Sequence, residues 1–232
     1  MFGQLFSRIK DAERSLETTI GSEISSPQAR RRARWHLLFV DHGILRGFWT
    51  NLHEIAPGVW RSNQPDGKRI AAYKNMGMRA VVNLRGTRRR SNYLFEQEAC
   101  AAHGITLVSH ALSARSLVKR EVLLALLDTF ETIERPFVMH CKSGADRAGL
   151  AAALYLLHMT SATPAQARQQ LSIRYLHIRT SKTGILDHML DAFQADHERS
   201  PIAIKDWLAN KYDRDALTQS FANAKRGQGP TA

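Results

Sequence analysis

The sequence predicts an α/β domain: a central, mostly parallel sheet of four to five strands flanked by helices. Short apolar runs of four or five residues alternate with longer stretches of helical spacing. Several helical stretches stop at a glycine or just ahead of a proline, as helix ends do. A length of 232 residues holds one sizeable domain with an appendage. Strands that alternate with helices need crossover connections, so they pair in parallel with helices on both faces.

Taken in order, Gly58–Ser62 reads as a short strand, and Gln64-Pro65-Asp66-Gly67 as a turn. Lys68–Met76 is spaced as a helix that closes at Gly77. Ala80–Leu84 is an apolar strand, Asn92–His103 a helix ending at Gly104, and Ile105–Val108 a third strand. Val118–Ile133 repeats apolar residues at helical intervals, with Pro136 just beyond it. Phe137–His140 is a fourth strand, and Arg147–Met159 a helix apolar on nearly every face. A helix starts near Thr163-Pro164, where proline suits the first turn. Two more are expected over Lys182–Asp196 and Pro201–Tyr212, with a frayed stretch from Ala224. The chain thus divides into a basic arm over 1–50, a domain over 51–200, and a C-terminal helix and tail over 201–232.

The arm carries Leu5, Phe6 and Ile9, then the cluster Arg30, Arg31, Arg32 and Arg34 ahead of Trp35. Two readings stand: an arm packed on the domain with solvated arginines, or a basic, aromatic segment resting on an anionic membrane surface. The net charge is +12, with 24 arginines among the 33 basic residues. Such a field attracts polyanions, and the excess of arginine favours forked contacts to phosphate or carboxylate. Specific nucleic-acid binding is not expected, because no aromatic-interleaved platform or reading helix accompanies the charge. Only Cys100 and Cys141 are present, so no disulfide framework is expected and a reducing cytoplasm is the default. The apolar runs are too short to span a bilayer, and Met1–Lys10 lacks the apolar core of a secretory leader. Asp41-His42 lacks the companion spacing of a metal site, and no metal or cofactor is expected.

One segment stands apart, His140-Cys141-Lys142-Ser143-Gly144-Ala145-Asp146-Arg147. It sets a cysteine at a strand end and an arginine six positions on, where a buried helix begins. The intervening loop can turn its N–H groups inward above the helix N-terminus, and Gly144 lets it curl without a Cβ clash. A dianionic phosphoryl group fits this cradle, with Arg147 gripping two oxygens in a fork. The same surroundings favour thiolate over thiol, so Cys141 is expected as a prepared nucleophile working through a phosphocysteine. A chance Cys-x2-Gly-x2-Arg in this composition has odds of about 1%. The preceding His140 is expected to hold the loop by hydrogen bonding.

This loop resembles the signature of cysteine-dependent phosphatases, the protein tyrosine and dual-specificity superfamily. Trp60-Arg61-Ser62-Asn63-Gln64-Pro65, Val82-Asn83-Leu84-Arg85-Gly86 and Gly149–Tyr155 also resemble compact bacterial dual-specificity-like members. The resemblance runs from about Pro57 to about Leu190. It implies phosphomonoester hydrolysis without a metal, Cys141 as nucleophile, Arg147 as phosphate clamp, and Lys142 to Asp146 as the backbone cradle. Two departures stand out. Relatives commonly follow the arginine with Ser or Thr, whose hydroxyl helps the thiolate leave, but here Ala148 follows. Relatives also place an aspartate acid on the loop after the preceding strand, yet Ser109–Leu117 contains no carboxylate.

A leaving alkoxide still needs a proton. Asp146 is the first candidate, placed as in the myotubularin and Sac-type lipid phosphatases; the alternative is that it pairs with an arginine or caps the helix. His110 and Glu121 are the reserves. Arg115 and His110 are expected at the pocket mouth, where they and Lys142 can hold a second anionic group. Cys100 is read as a core residue that can approach Cys141 under oxidation.

Phosphoproteins stand first as substrates by analogy with the superfamily, and phosphoinositides or inositol phosphates second. A phosphate reader without turnover is the third reading, and sulfur transfer a distant one. The expected location is cytoplasmic, with contact to the inner face of a membrane through the arm.

Overall fold

The computed structural model of the chain describes residues 23–41, 46 and 49–227. Five strands form one sheet: β1 (His53–Ala56), β2 (Val59–Asn63), β3 (Ala80–Asn83), β4 (Thr106–Ser109) and β5 (Phe137–Cys141). Their order across the sheet is β1-β2-β5-β3-β4. β1 runs antiparallel to β2, and the other three pairings are parallel. This is the predicted mostly parallel sheet.

β5 lies in the middle and is buried at all five positions. A strand covered on both faces must be apolar throughout, which is why Phe137-Val138-Met139 reads as a continuous run. Alternation then divides the core. Phe137, Met139 and Cys141 face one cluster with Leu126, Leu154 and Met189, while Val138 faces another with Val81, Ile70 and Cys100. The two cysteines therefore stand on opposite faces of the sheet. The expected approach of Cys100 to Cys141 is corrected: Cys100 is a core residue whose thiol burial pushes up to about 12.

α1 (Pro27–Trp35) lies in the arm, where no helix is predicted; α2 (Gly67–Asn75), α3 (Ser91–Ala102), α4 (Arg120–Thr132), α5 (Asp146–Met159) and α6 (Pro164–Arg168) follow the predicted places within a residue or two. α7 (Ile185–Arg199) and α8 (Ile204–Asn210) follow, with α7 preceded by a 3₁₀ turn over Lys182–Gly184. α5 carries its arginine at the second position and buries eight consecutive residues, Ala148–Tyr155. Four alanines and Gly149 in that run let it lie close against β5 and β2. A Cβ on Gly149 would stand 2.7 Å from the Gln170 carbonyl oxygen.

The sequence misses two elements besides α1. β1 is a half-buried edge strand, His53-Glu54-Ile55-Ala56, with no apolar run to betray it; it turns back through Gly58 at φ +73°. The frayed tail expected from Ala224 is also corrected, because α9 spans Arg214–Gly227. Leu217 and Phe221 pack on the main core, and Ser220 bonds His188 at 2.6 Å. Residues 228–232 and the arm's Leu5, Phe6 and Ile9 lie outside the described residues.

Over its described part the arm packs on the domain. α1 continues into a π-helical turn, His36–Val40. Arg30 forks onto Glu98 at 2.8 and 2.7 Å, and the buried His36 ring bonds Ser91 at 2.9 Å.

Candidate active site

The 141–147 loop joins the C-terminal end of β5 to the start of α5. Its shape is fixed by what holds its carbonyls. Gln64 N–H donates to the Lys142 carbonyl at 3.3 Å, and Asn51 Nδ2 donates to that of Ser143 at 3.2 Å. Arg61 Nη2 donates to the carbonyls of Gly144 at 2.6 Å and Ala145 at 3.1 Å. In a trans peptide the N–H points opposite to its C=O. Four carbonyls drawn outward thus turn the N–H groups of Ser143, Gly144, Ala145 and Asp146 toward the loop interior. That is the predicted anion cradle.

Arg61 is fully buried and its other nitrogen, Nη1, donates to Gln170 at 2.7 and 2.9 Å. The guanidinium lies 3.8 Å from the centre of the Tyr175 ring. Burial lowers its pKa to about 10, with Tyr175, Cys141 and Asp146 acting the other way, so it remains a cation at neutral pH. Arg61 stands in the Trp60–Pro65 stretch that resembles the family, but an arginine at a strand centre does not tell which carbonyls it will hold. Asn51, at φ +47°, is a second residue missed.

Gly144 adopts φ +76°, and a Cβ there would stand 2.8 Å from both the Asn63 nitrogen and the Ser62 carbonyl carbon. No other residue fits without moving β2. Cys141 is buried at the base of the loop. Arg147 lines the adjoining cavity, and its buried Nε has no hydrogen-bond partner among the described residues. His140 points to the other face, with Nε2 2.5 Å from Glu96 Oε1 on α3 and Nδ1 3.4 Å from the Cys141 carbonyl.

Asp146 also lines the cavity. Its Oδ1 accepts from Nδ1 of buried His177 at 2.8 Å, and His177 Nε2 donates to Asp187 Oδ2 at 2.7 Å. The partner is thus a histidine thirty-one residues away, and the expected pairing with a neighbouring arginine is corrected. Burial pushes the His177 pKa down, but the hydrogen bonds it donates to both carboxylates outweigh it and hold the value at about 9. An imidazolium bracketed by two carboxylates was not legible in the sequence.

His110 is corrected as well. It is not among the cavity lining, and its Nε2 meets Thr129 Oγ1 on α4 at 2.9 Å. Glu121 is exposed in the first turn of α4, also outside the lining. Arg115 does line the cavity, with Arg85, Arg88, Arg90 and Lys142. The cavity is open and holds about 730 Å³. Asp41, from the arm, organises one wall: its carboxylate takes Arg85 at 2.8 Å and Arg46 at 2.7 Å, and stands 3.4 Å from Lys142. Burial opposes ionisation there, but the paired guanidiniums hold the carboxyl well below its usual range.

A cysteine at the end of a central parallel strand, a cradle of inward amides and an arginine entering the next helix define a cysteine-dependent phosphatase. A family model described as PTP-SAK, Swiss Army Knife protein, DSP-PTPase phosphatase domain, matches residues 55–198. The chain belongs to that family, and so to the tyrosine and dual-specificity phosphatase superfamily. Among solved structures, TpbA of P. aeruginosa is similar at a TM-score of 0.50 and 19% identity, over 75% of this chain and 92% of that one. Tk-PTP in its active form matches at 0.50 and 17%, over 62% of this chain and 98% of that one. At such identities the likeness is one of fold. No curated protein matches.

Proposed function

We propose that this phosphatase removes phosphate from a molecule bearing further anionic groups beside the scissile one, with an inositol phosphate or phosphoinositide headgroup the best-fitting class. The observation that supports it is the cavity wall. Arg85, Arg88, Arg90, Arg115 and Lys142 surround the cradle, and no aromatic side chain among the described residues lines the cavity to stack on a phenol ring. Phosphoproteins, placed first from superfamily analogy, become the second outcome of the test below.

In the proposed reaction the Cys141 sulfur attacks phosphorus while the bond to the ester oxygen breaks. The inward amides and Arg147 hold the three remaining oxygens. The departing oxygen takes its proton from Asp146, and Nδ1 of His177 passes its proton to Asp146 Oδ1, leaving neutral imidazole bonded to Asp187. Water then attacks phosphorus, the S–P bond breaks, and the water proton returns by the same route. Ala148, fully buried, offers no hydroxyl to the departing sulfur, so breakdown of the phosphocysteine is the expected slow step.

The test is turnover of inositol polyphosphates, phosphoinositides and phosphotyrosine peptides, with Cys141→Ser as the inactive control. Arg115→Ala should raise KM for a multiply phosphorylated substrate about tenfold, one charge-assisted contact, and leave a simple aryl phosphate unchanged. Preferential turnover of phosphopeptides would transfer the assignment to proteins.

A further inference from the structure

Large apolar side chains that remain exposed usually scatter singly over a protein surface. Here they do not. Among the described residues eight are exposed, and all but Met76 sit on three segments that each touch the 141–147 loop or its neighbours.

The first segment is the end of α1 and the turn after it, with Trp35, Leu38 and Phe39 exposed at 58%, 42% and 52%. It runs directly into Asp41, which contacts Lys142 and Arg85 at the cavity wall. Trp35 and Phe39 lie against each other at 5.3 Å between ring centres, forming one continuous aromatic surface. The second segment carries Trp49, two residues before Asn51, whose side chain grips the Ser143 carbonyl. The third carries Ile173, Leu176 and Ile178, the first of them 73% exposed. Asn51 bonds the Tyr175 carbonyl in that segment at 3.1 Å, and His177 bonds Asp146. The exposed apolar side chains thus come from three separate stretches of chain, each tied through a neighbouring residue to the loop or to the cavity wall.

The charges on the same elements select the occupant. Arg31, Arg32 and Arg34 are exposed on α1, and Arg88, Arg89 and Arg115 are exposed beside or within the cavity wall. A protein partner would meet these apolar residues with a complementary apolar face and would gain little from so many unpaired guanidiniums. An anionic bilayer meets both: aromatic and aliphatic side chains enter the headgroup boundary while arginines lie at the phosphate level. We infer that the rim of the active site is a docking surface for an anionic membrane, placing the cavity mouth against the headgroups. The consequence for turnover rests on the phosphatase reading above; the docking itself does not.

The experiment is flotation of the full chain with phosphatidylcholine vesicles, with and without phosphatidylglycerol, at low and high salt. The wild type should float with the anionic vesicles only and be released by salt. Phe39→Glu combined with Ile173→Glu, two exposed positions outside the catalytic machinery, should weaken that binding about tenfold or more. The same variant should keep the wild-type rate on a soluble aryl phosphate and lose rate on phosphoinositide presented in the anionic vesicles. Wild-type protein that stays out of the anionic vesicles, or a double variant that binds them equally well, would overturn the inference. So would a variant that loses turnover only on soluble phosphoprotein, since the surface would then belong to a protein partner. Absence of aryl phosphatase activity in the wild type would instead sink the functional reading, with the flotation result still deciding this one.

Discussion

His177 binds Asp146 through one ring nitrogen at 2.8 Å and Asp187 through the other at 2.7 Å. A carboxylate at the mouth of the cradle is thereby wired to a buried proton store. In the proposed reaction this pair takes the place of an acid on the carboxylate-free Ser109–Leu117 loop, with Asp146 and His177 acting as a unit. Asp146→Asn should lower kcat by about 10²-fold on an alkyl phosphate and far less on an aryl phosphate with a good leaving group. His177→Gln should follow the same leaving-group dependence and shift the alkaline limb of the pH–rate profile. Equal losses on both substrates would assign the pair to structure alone.

Stability should carry the same signature. The His177 pKa rises from its ordinary 6.5 to about 9 on folding. The folded state therefore holds this proton more tightly, and its contribution is complete below pH 6.5. It is lost as pH climbs through about 9, removing on the order of 3 kcal/mol. Urea midpoints between pH 6 and pH 10 should fall across that window for the wild type and fall less for His177→Gln.

Arg61 is the second point of leverage. One guanidinium holds the carbonyls of Gly144, Ala145 and Gln170 together. An ammonium keeps the charge and cannot span them, so Arg61→Lys should cost about 10²-fold in kcat/KM and weaken vanadate inhibition in parallel. Arg61→Met strands those buried acceptors and should cost about 3 kcal/mol or more, read as a drop in Tm.

Two glycines at nearly the same backbone angle should separate strain from fit. Gly77 has φ +84° and open space around its Cβ position, while Gly144 at φ +76° has backbone atoms 2.8 Å away. Gly77→Ala should cost about 1 kcal/mol and leave activity intact. Gly144→Ala should abolish vanadate binding, because the cradle must open to admit the methyl group.

The elements most legible in the sequence are those whose physics is local. Phe137–Cys141 announces a central strand because both faces are buried, and α5 announces itself through Ala148–Tyr155. The loop between them carries its chemistry at fixed spacing, so Cys141, Gly144 and Arg147 could be assigned before any coordinates. β1 was invisible because an edge strand needs no apolar run, and α9 because its helical face becomes apolar only where Leu217 and Phe221 meet the core.

What the sequence alone settled was the central sheet and the Cys141–Arg147 loop that follows its middle strand, since both are written in contiguous residues. The tertiary structure decided the rest: that Arg61 and Asn51 turn the loop's carbonyls outward, that His177 and Asp187 stand behind Asp146, and that the arm's Asp41 braces Arg85. Most of those contacts close long stretches of chain, 31 residues for His177–Asp146, 44 for Arg85–Asp41 and 92 for Asn51–Ser143. Pairings at such separations leave no periodicity or spacing to read, because they exist only once the sheet has brought distant segments to one edge.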